Sequence, residues 1–175
     1  MVTLVIAAGA KAQFTKADLQ ATGLTCAMCS NAINKALLAL PAVESVKPEI
    51  KTSSFHIVFK STQEATIADQ IRKAVEDAGF SVGSLGLTGN FSGVTVKNDE
   101  HVNVGSQVLH FVDVKDQVLD GTATVQVVDK DFLTAKKYKK IRGATKMECI
   151  NTGTSSACCT SAGVAPGKRI FHVTI

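Results

Sequence analysis

Several features that mark common protein classes are missing from this sequence. It has no tryptophan, a single tyrosine and only 5% aromatic residues, which disfavours any function built on aromatic stacking. No apolar run reaches the roughly 18–20 residues that a membrane-spanning helix needs, so we expect no stable membrane insertion. Because we find no phosphate loop, no Ser-His-Asp spacing and no paired-carboxylate site, we do not expect an enzyme.

The charge is only weakly biased. The formal net charge is +4, with 19% charged and 45% hydrophobic residues, which is typical of a globular protein with a sizeable core. Residues 13–90 carry seven basic and seven acidic side chains, and residues 91–175 carry eleven basic and eight acidic ones. Neither part is basic enough to demand a nucleic-acid partner, and we expect none.

The first twelve residues have the form of an export signal. A short apolar run, Val2 to Ala10, leads into an Ala-x-Ala sequence that ends at Ala12, and cleavage there leaves Gln13 first. No Lys or Arg precedes the run, so either a signal peptide over residues 1–12 is truncated, or the run is a β-strand. The signal predicts a periplasmic or secreted protein, and its absence a cytoplasmic one.

Hydrophobic periodicity divides residues 13–90 into strand, helix, two strands, helix and strand. This order is the ferredoxin-like βαββαβ arrangement, which predicts a four-stranded antiparallel sheet with both helices on one face. Pro48 predicts that the second strand lies at an edge. The positions that define the six elements are Ala17, Leu19 and Ala21; Cys29, Ile33, Leu37 and Leu40; Val46, Pro48 and Ile50; Phe55, Ile57 and Phe59; Ile67, Ile71, Val75 and Ala78; and Val82, Leu85 and Leu87.

Residues 91–175 predict a second, β-rich domain of unknown role. The segment 88–93 has the composition of a linker or turn, and a lysine-rich helix is expected within 131–142. The fold class is therefore α+β: a ferredoxin-like sandwich followed by a small β-rich domain, with an OB-like five-stranded barrel as its expected form. The alternating positions that predict its strands are Val102 and Val104; Val108, His110 and Val112; Ala123, Val125 and Val127; and Phe171, Val173 and Ile175.

One short motif carries recognisable chemistry. The segment Gly23–Cys29 reads Gly-Leu-Thr-Cys-Ala-Met-Cys and falls between the first strand and the first helix. Its two thiols, Cys26 and Cys29, are three positions apart and can converge on one ion, while the helix N-terminus stabilises thiolates. Thiolate sulfur is a soft ligand that suits Cu(I). Two ligands leave the ion accessible, which favours passing it onward.

A lone Cys-x-x-Cys pair has other interpretations. It can be half of a zinc site, a thioredoxin-like redox pair or two structural cysteines. A four-cysteine zinc site usually needs a second Cys-x-x-Cys, which Cys158-Cys159 is not. A thioredoxin pair belongs to a different element order, and buried structural cysteines are not expected in a Gly-Leu-Thr turn.

Residues 15–87 resemble the heavy-metal-associated domain, the family of copper chaperones, the N-terminal modules of copper-pumping ATPases and the periplasmic mercury-binding protein. The family motif is Gly-Met-Thr-Cys-x-x-Cys, and Leu24 replaces its Met, a nearly volume-conserving change. The segment Val75–Phe80 resembles the end of the family's second helix. The resemblance implies that Cys26 and Cys29 are the metal ligands, that Leu24 packs inward, and that Phe80 shields the site from water.

These observations predict a metal-binding and transfer protein. It would capture Cu(I), with Hg(II), Zn(II) or Cd(II) as alternatives, and exchange it with a metal-accepting or metal-donating protein such as a copper-transporting ATPase or efflux component. One alternative is a thiol–disulfide redox protein that uses the same two cysteines. Another is an interaction adaptor in which the C-terminal domain dominates.

Other candidate residues are given structural or surface roles. Met28 is expected to be an exposed loop residue rather than a thioether ligand. His56, His101, His110 and His172, taken singly, are expected to be structural or surface histidines. The basic cluster around Tyr138 is expected to be a solvated helix face; it comprises Lys136, Lys137, Lys139, Lys140, Arg142 and Lys146.

Three further cysteines lie in the C-terminal part. In an exported protein, a disulfide from Cys149 to Cys158 or Cys159 is expected, because it would close a Ser/Thr-rich loop. The rival interpretation is a second soft-metal site built from the same thiols, receiving its ion from Cys26 and Cys29.

Overall fold

A computed structural model describes residues 13–24, 26–61 and 65–175, without the side chains of residues 161 and 162. The predicted signal peptide, residues 1–12, lies outside this part of the chain. The strands are β1 (Gln13–Thr22), β2 (Val43–Glu49), β3 (Ser54–Phe59), β4 (Ser81–Val96), β5 (Glu100–Val104), β6 (Gln107–Phe111), β7 (Gln117–Val127) and β8 (Ile170–Thr174). The α-helices are α1 (Ala27–Leu38), α2 (Ile67–Asp77), α3 (Ala135–Arg142) and α4 (Cys149–Thr152).

The first six elements confirm the predicted βαββαβ order. Strands β2, β3, β1 and β4 lie side by side and all pair antiparallel. Pro48 lies in β2, at the edge of the sheet, where a residue without an N–H group disturbs the ladder least.

Helix α2 buries the apolar face that its sequence predicts. Its apolar face is buried and its polar face carries two ion pairs at i,i+4 spacing, Arg72–Glu76 and Lys73–Asp77. Such pairs contribute a few tenths of a kcal/mol each, so burial of the apolar face is the larger stabilising effect. Gly79, at φ +88°, ends the helix in the left-handed conformation that glycine adopts without strain. The buried residues are Ile67, Ala68, Ile71, Ala74 and Val75.

Strand β4 corrects the linker expected at residues 88–93. It continues through this segment, pairing with β1 as far as Gln13↔Asn90 and with β7 as far as Val96↔Gln117. Glycine is needed at position 89 because the backbone of Gln13 approaches it closely: a Cβ there would lie 2.8 Å from the Gln13 carbonyl oxygen. The division into 13–90 and 91–175 stays a prediction, since one sheet runs across it.

The remaining strands extend the same sheet. Its order continues from β4 through β7, β8 and β6 to β5, and β6 and β8 pair in parallel. The four strands predicted in this region are confirmed, but the OB-like barrel is not. The predicted lysine-rich helix is shorter than expected, because Lys130–Phe132 form a separate 3-10 turn before α3. No helix among the described residues has the length and apolarity to cross a membrane.

Candidate metal-binding sites

The loop between β1 and α1 places two cysteines at a helix N-terminus. Cys26 is the N-cap residue of α1: its Sγ accepts a hydrogen bond from the backbone N–H of Cys29 at 3.4 Å. Its carbonyl oxygen accepts from the N–H groups of Cys29 and Ser30, at 3.1 and 3.4 Å. The start of the helix therefore fixes where the Cys26 sulfur lies.

The two sulfurs are close and accessible. Cys26 Sγ and Cys29 Sγ are 2.6 Å apart; Cys26 is exposed and Cys29 is partly buried. Two bonds of the roughly 2.3 Å typical of metal–thiolate contacts would hold the sulfurs about 3.8 Å apart at a tetrahedral angle, and further apart at the wider angle of an ion with two ligands. The sulfurs therefore need to separate by at least about 1 Å, which rotation of the exposed Cys26 side chain can supply.

Residues around this loop occupy the expected places. Leu24 packs against the main core, as the resemblance implies. Gly23 adopts φ +86°, and the Phe80 ring lies 3.8 Å from where its Cβ would be, so Phe80 covers one side of the loop. Met28 is 82% exposed, which confirms the prediction of a solvent-facing residue. Residue 25 lies outside the described residues.

An accessible pair of thiols at a helix N-terminus, on a βαββαβ fold, is the arrangement that the motif predicts for a metal-binding module. The sequence model of the heavy-metal-associated domain matches residues 18–81. These residues form a heavy-metal-associated domain, and the family expected from the motif is confirmed.

Three of the solved structures have chains that are similar to part of this one. The CopZ metallochaperone is 24% identical, with 39% of this chain and 98% of that chain covered and a TM-score of 0.36. The yeast copper transporter domain Ccc2a is 30% identical, with 38% and 88% covered and a TM-score of 0.34. Oxidised MerP from Ralstonia metallidurans is 26% identical, with 41% and 96% covered and a TM-score of 0.35. No curated protein matched this chain.

A second group of potential ligands lies in the C-terminal region. Register places His101 opposite His110 and His110 opposite His172, so one histidine from each of β5, β6 and β8 forms a row across the sheet. The rings of His101 and His110 stack at 4.5 Å, and those of His110 and His172 meet edge to face at 5.0 Å. With two cysteines they form what we term the His/Cys cluster: His101, His110, His172, Cys149 and Cys159.

One sulfur lies at the centre of this cluster. Cys149, the first residue of α4, has its Sγ 3.5 Å from His172 Nε2, 3.7 Å from His110 Nδ1 and 3.9 Å from His101 Nε2. Cys149, His110 and His172 are wholly buried. The disulfide expected from Cys149 is wrong, because Cys149, Cys158 and Cys159 are all unbonded thiols in the structure.

Burial shifts the pKa values of several side chains in the His/Cys cluster. Burial lowers the pKa of His110 to about 3, helped by His172 and His101 and opposed by Asp129. Burial likewise lowers the pKa of His101, so both rings are neutral near pH 7 and keep a lone pair for a ligand. Burial, with contacts to Cys159 and Cys158, raises the pKa of the Cys149 thiol well above its usual range.

Cys158 differs from its neighbours. Its side chain is partly exposed, and its Sγ lies 3.4 Å from Cys159 Sγ and 3.3 Å from Ser156 Oγ. Although burial raises the pKa of Cys158, hydrogen bonds involving Ser156 and the Cys149 backbone outweigh it and lower the pKa to about 7. This thiol is therefore substantially ionised at neutral pH.

Taken singly, the histidines are expected to be structural or surface residues, and the structure brings three of them together. The signal in the sequence was that His110 and His172 each lie in an alternating strand next to residues that are expected to be buried. His56 lies elsewhere: it is exposed, with Nδ1 2.5 Å from Asp18 on the neighbouring strand. The basic side chains of α3 and Lys146 are exposed, as predicted.

Proposed function

We propose that this protein binds one Cu(I) ion between Cys26 and Cys29 and passes it to another protein by ligand exchange. The observation that carries the proposal is the pair of sulfurs 2.6 Å apart, at the N-terminus of α1 within a heavy-metal-associated domain. Soft thiolates favour Cu(I), and two of them converge here on one position at the surface.

Exposure of the pair makes exchange feasible. Because Cys26 is exposed, a thiolate of a second protein can approach the ion from solvent while Cys29, which is partly buried, still holds it. The ion then moves to the partner as the bond to Cys26 and then the bond to Cys29 break, each replaced by a bond to a partner thiolate. The partner class that fits is a copper-transporting ATPase or an efflux component, and a signal peptide at residues 1–12 would place the exchange in the periplasm or outside the cell.

A competition titration tests the site. Reduced protein is titrated with Cu(I) in the presence of a chromogenic Cu(I) chelator, and the same is done for Cys26→Ser, Cys29→Ser and Met28→Leu. Each serine variant should lose at least about 100-fold in Cu(I) affinity, because a soft thiolate is replaced by a hard hydroxyl. Met28→Leu is the matched control and should stay within about twofold, since this side chain points to solvent.

Near-unchanged Cu(I) affinity in either serine variant would refute the assignment of the ligands. Reduction of disulfide substrates by the unaltered protein, without tight Cu(I) binding, would favour the redox alternative instead.

A further inference from the structure

We propose that the His/Cys cluster is a second metal site, one that holds a tetrahedral ion of the Zn(II) class. Cys149 Sγ, His110 Nδ1 and His172 Nε2 are three of its donors. Cys149 also belongs to a second triple with His101 and Cys159, and one of these two supplies the fourth donor. The site is independent of Cys26 and Cys29 and does not rest on the function proposed for them.

The spacing of the donor atoms fits a tetrahedral ion. Bonds of roughly 2.3 Å to sulfur and 2.0–2.1 Å to nitrogen put a sulfur and a nitrogen about 3.5 Å apart around a tetrahedral centre. The observed separations from Cys149 Sγ are 3.5 Å to His172 and 3.7 Å to His110. Adjustments of a few tenths of an ångström would bring each nitrogen to this distance from the sulfur, and the two nitrogens lie within 4.8 Å of each other.

Hydrogen bonding alone does not satisfy this cluster. The Cys149 thiol has one hydrogen to donate, yet nitrogens of three imidazoles face its sulfur. His172 Nε2 can only accept, because its ring N–H faces Asp129, and His110 Nδ1 accepts when its own ring N–H points to Asp99, 3.3 Å from Nε2. One thiol proton cannot serve both lone pairs, and buried polar atoms are normally partnered. A metal ion bound to the Cys149 thiolate accepts a lone pair from each coordinating nitrogen and so resolves the deficit.

The surroundings of His172 also fit metal ligation. Its Nδ1 lies 2.5 Å from Asp129 Oδ1, and that carboxylate accepts the ring N–H, which leaves the Nε2 lone pair directed at Cys149. Carboxylate–histidine pairs of this kind fix the tautomer and orientation of metal-binding histidines. Arg169 binds the same Asp129 at 3.2 Å and binds Asp69 of α2 through two hydrogen bonds. The support for the site therefore reaches into the heavy-metal-associated domain.

An ion can reach the buried donors from one side. Cys158 and His101 are partly exposed, whereas Cys159 and Cys149 behind them are wholly buried. Cys158 Sγ is 3.4 Å from Cys159 Sγ, and Cys159 lies within the same triple as Cys149. This series of donors leads from solvent to the proposed site.

Metal retention by the complete chain tests the proposal. The Cys26→Ser/Cys29→Ser double variant removes the first site and is reduced, loaded with Zn(II) or with Co(II) as a coloured substitute, and gel-filtered. It should retain about one ion per chain, and the Co(II) form should show an intense tetrahedral spectrum with a thiolate charge-transfer band. Adding Cys149→Ser should abolish retention, while adding Met28→Leu, at an exposed position outside the cluster, should leave it unchanged.

Further variants test the proposal even if Cys149→Ser does not fold. Asp129→Asn should weaken Zn(II) binding by about 10–100-fold, because it alters the group that orients His172. Two single variants, His101→Asn and Cys159→Ser, identify the fourth donor. Only the variant that removes this donor should change the Co(II) spectrum. Failure of the folded double variant to retain Zn(II) or Co(II), retention of Cu(I) alone, or equal retention after Cys149→Ser would overturn the proposal.

Discussion

The two groups of candidate metal ligands in this chain differ in sequence spacing and in exposure to solvent. Cys26 and Cys29 are three residues apart, lie in one loop, and expose at least one sulfur to solvent. The His/Cys cluster draws on three strands and two short helical segments, and four of its five side chains are wholly buried. The first arrangement suits exchange with a partner, and the second suits retention.

The difference also decides what the rest of the fold contributes. The loop pair depends on the start of one helix, whereas the cluster needs the register of three strands and the Arg169 contacts to two carboxylates. We therefore expect changes near the loop to alter metal affinity with little effect on stability. Changes near the cluster should alter both.

The largest contrast is expected in thiol reactivity. In reduced, metal-free protein at about pH 7, Cys26 and Cys158 should be alkylated at least about 100-fold faster than Cys149 and Cys159. Cys26 is exposed and the pKa of Cys158 is lowered to about 7, whereas burial raises the pKa of Cys149. Timed labelling followed by peptide mapping measures the rates. Equal labelling of Cys149 and Cys26 would show that the cluster is not buried in solution.

The next largest effect concerns Arg169, which links α2 of the heavy-metal-associated domain to the C-terminal region that holds the His/Cys cluster. Arg169→Ala should lower the free energy of unfolding by about 1–3 kcal/mol, because it removes charge-assisted hydrogen bonds to Asp69 and leaves Asp129 with less compensation. Lys73→Ala is the matched control: its ion pair with Asp77 is exposed and should contribute less than about 0.5 kcal/mol. Urea unfolding of both variants measures the difference. Equal losses of unfolding free energy in the two variants would show that Arg169 does not couple the heavy-metal-associated domain to the C-terminal region.

A smaller effect is expected from pH in metal-free protein. The pKa of His110 is lowered to about 3 in the folded chain, against roughly 6.5 when unfolded. Between these values the unfolded chain binds the extra proton, so stability is full above about pH 6.5 and declines as the pH falls. The titratable groups facing His110 are His172, His101, Asp129, Asp99 and Cys149.

Urea unfolding at about pH 7 and pH 5 should therefore show a loss on the order of 1–2 kcal/mol at the lower pH. His110→Gln, which keeps a polar side chain of similar size, should reduce that loss. An unchanged pH dependence in the glutamine variant would assign the loss to other groups.

The N-terminal half could be predicted because its signals are local. The Gly23–Cys29 motif and the helical spacing of Ile67, Ile71 and Val75 each lie within a few turns of chain, and the element order follows from them. The extension of β4 was missed because Gly89, Asn90 and Gly93 have the composition of a turn. Gly89 is small because the Gln13 backbone approaches it, which depends on pairing that the local sequence does not record.

The His/Cys cluster could not be predicted, for a related reason. It depends on which residues of β5, β6 and β8 stand opposite one another, and β8 reaches its parallel position beside β6 only after a long connection. Single histidines in three separate strands give no sign of this register. The same connection carries Cys149 and Cys159, whose spacing of ten positions matches no common ligand motif.

If both proposals hold, one chain binds two metal ions in sites of different chemistry. Native mass spectrometry can count them in the reduced, unaltered chain after loading with Zn(II) and then with one equivalent of Cu(I). We expect a main species that carries one zinc and one copper ion. Cys26→Ser/Cys29→Ser should lose only the copper, and Cys149→Ser only the zinc. A chain that never carries more than one ion, or in which either variant loses both metals while still folded, would contradict the presence of two sites.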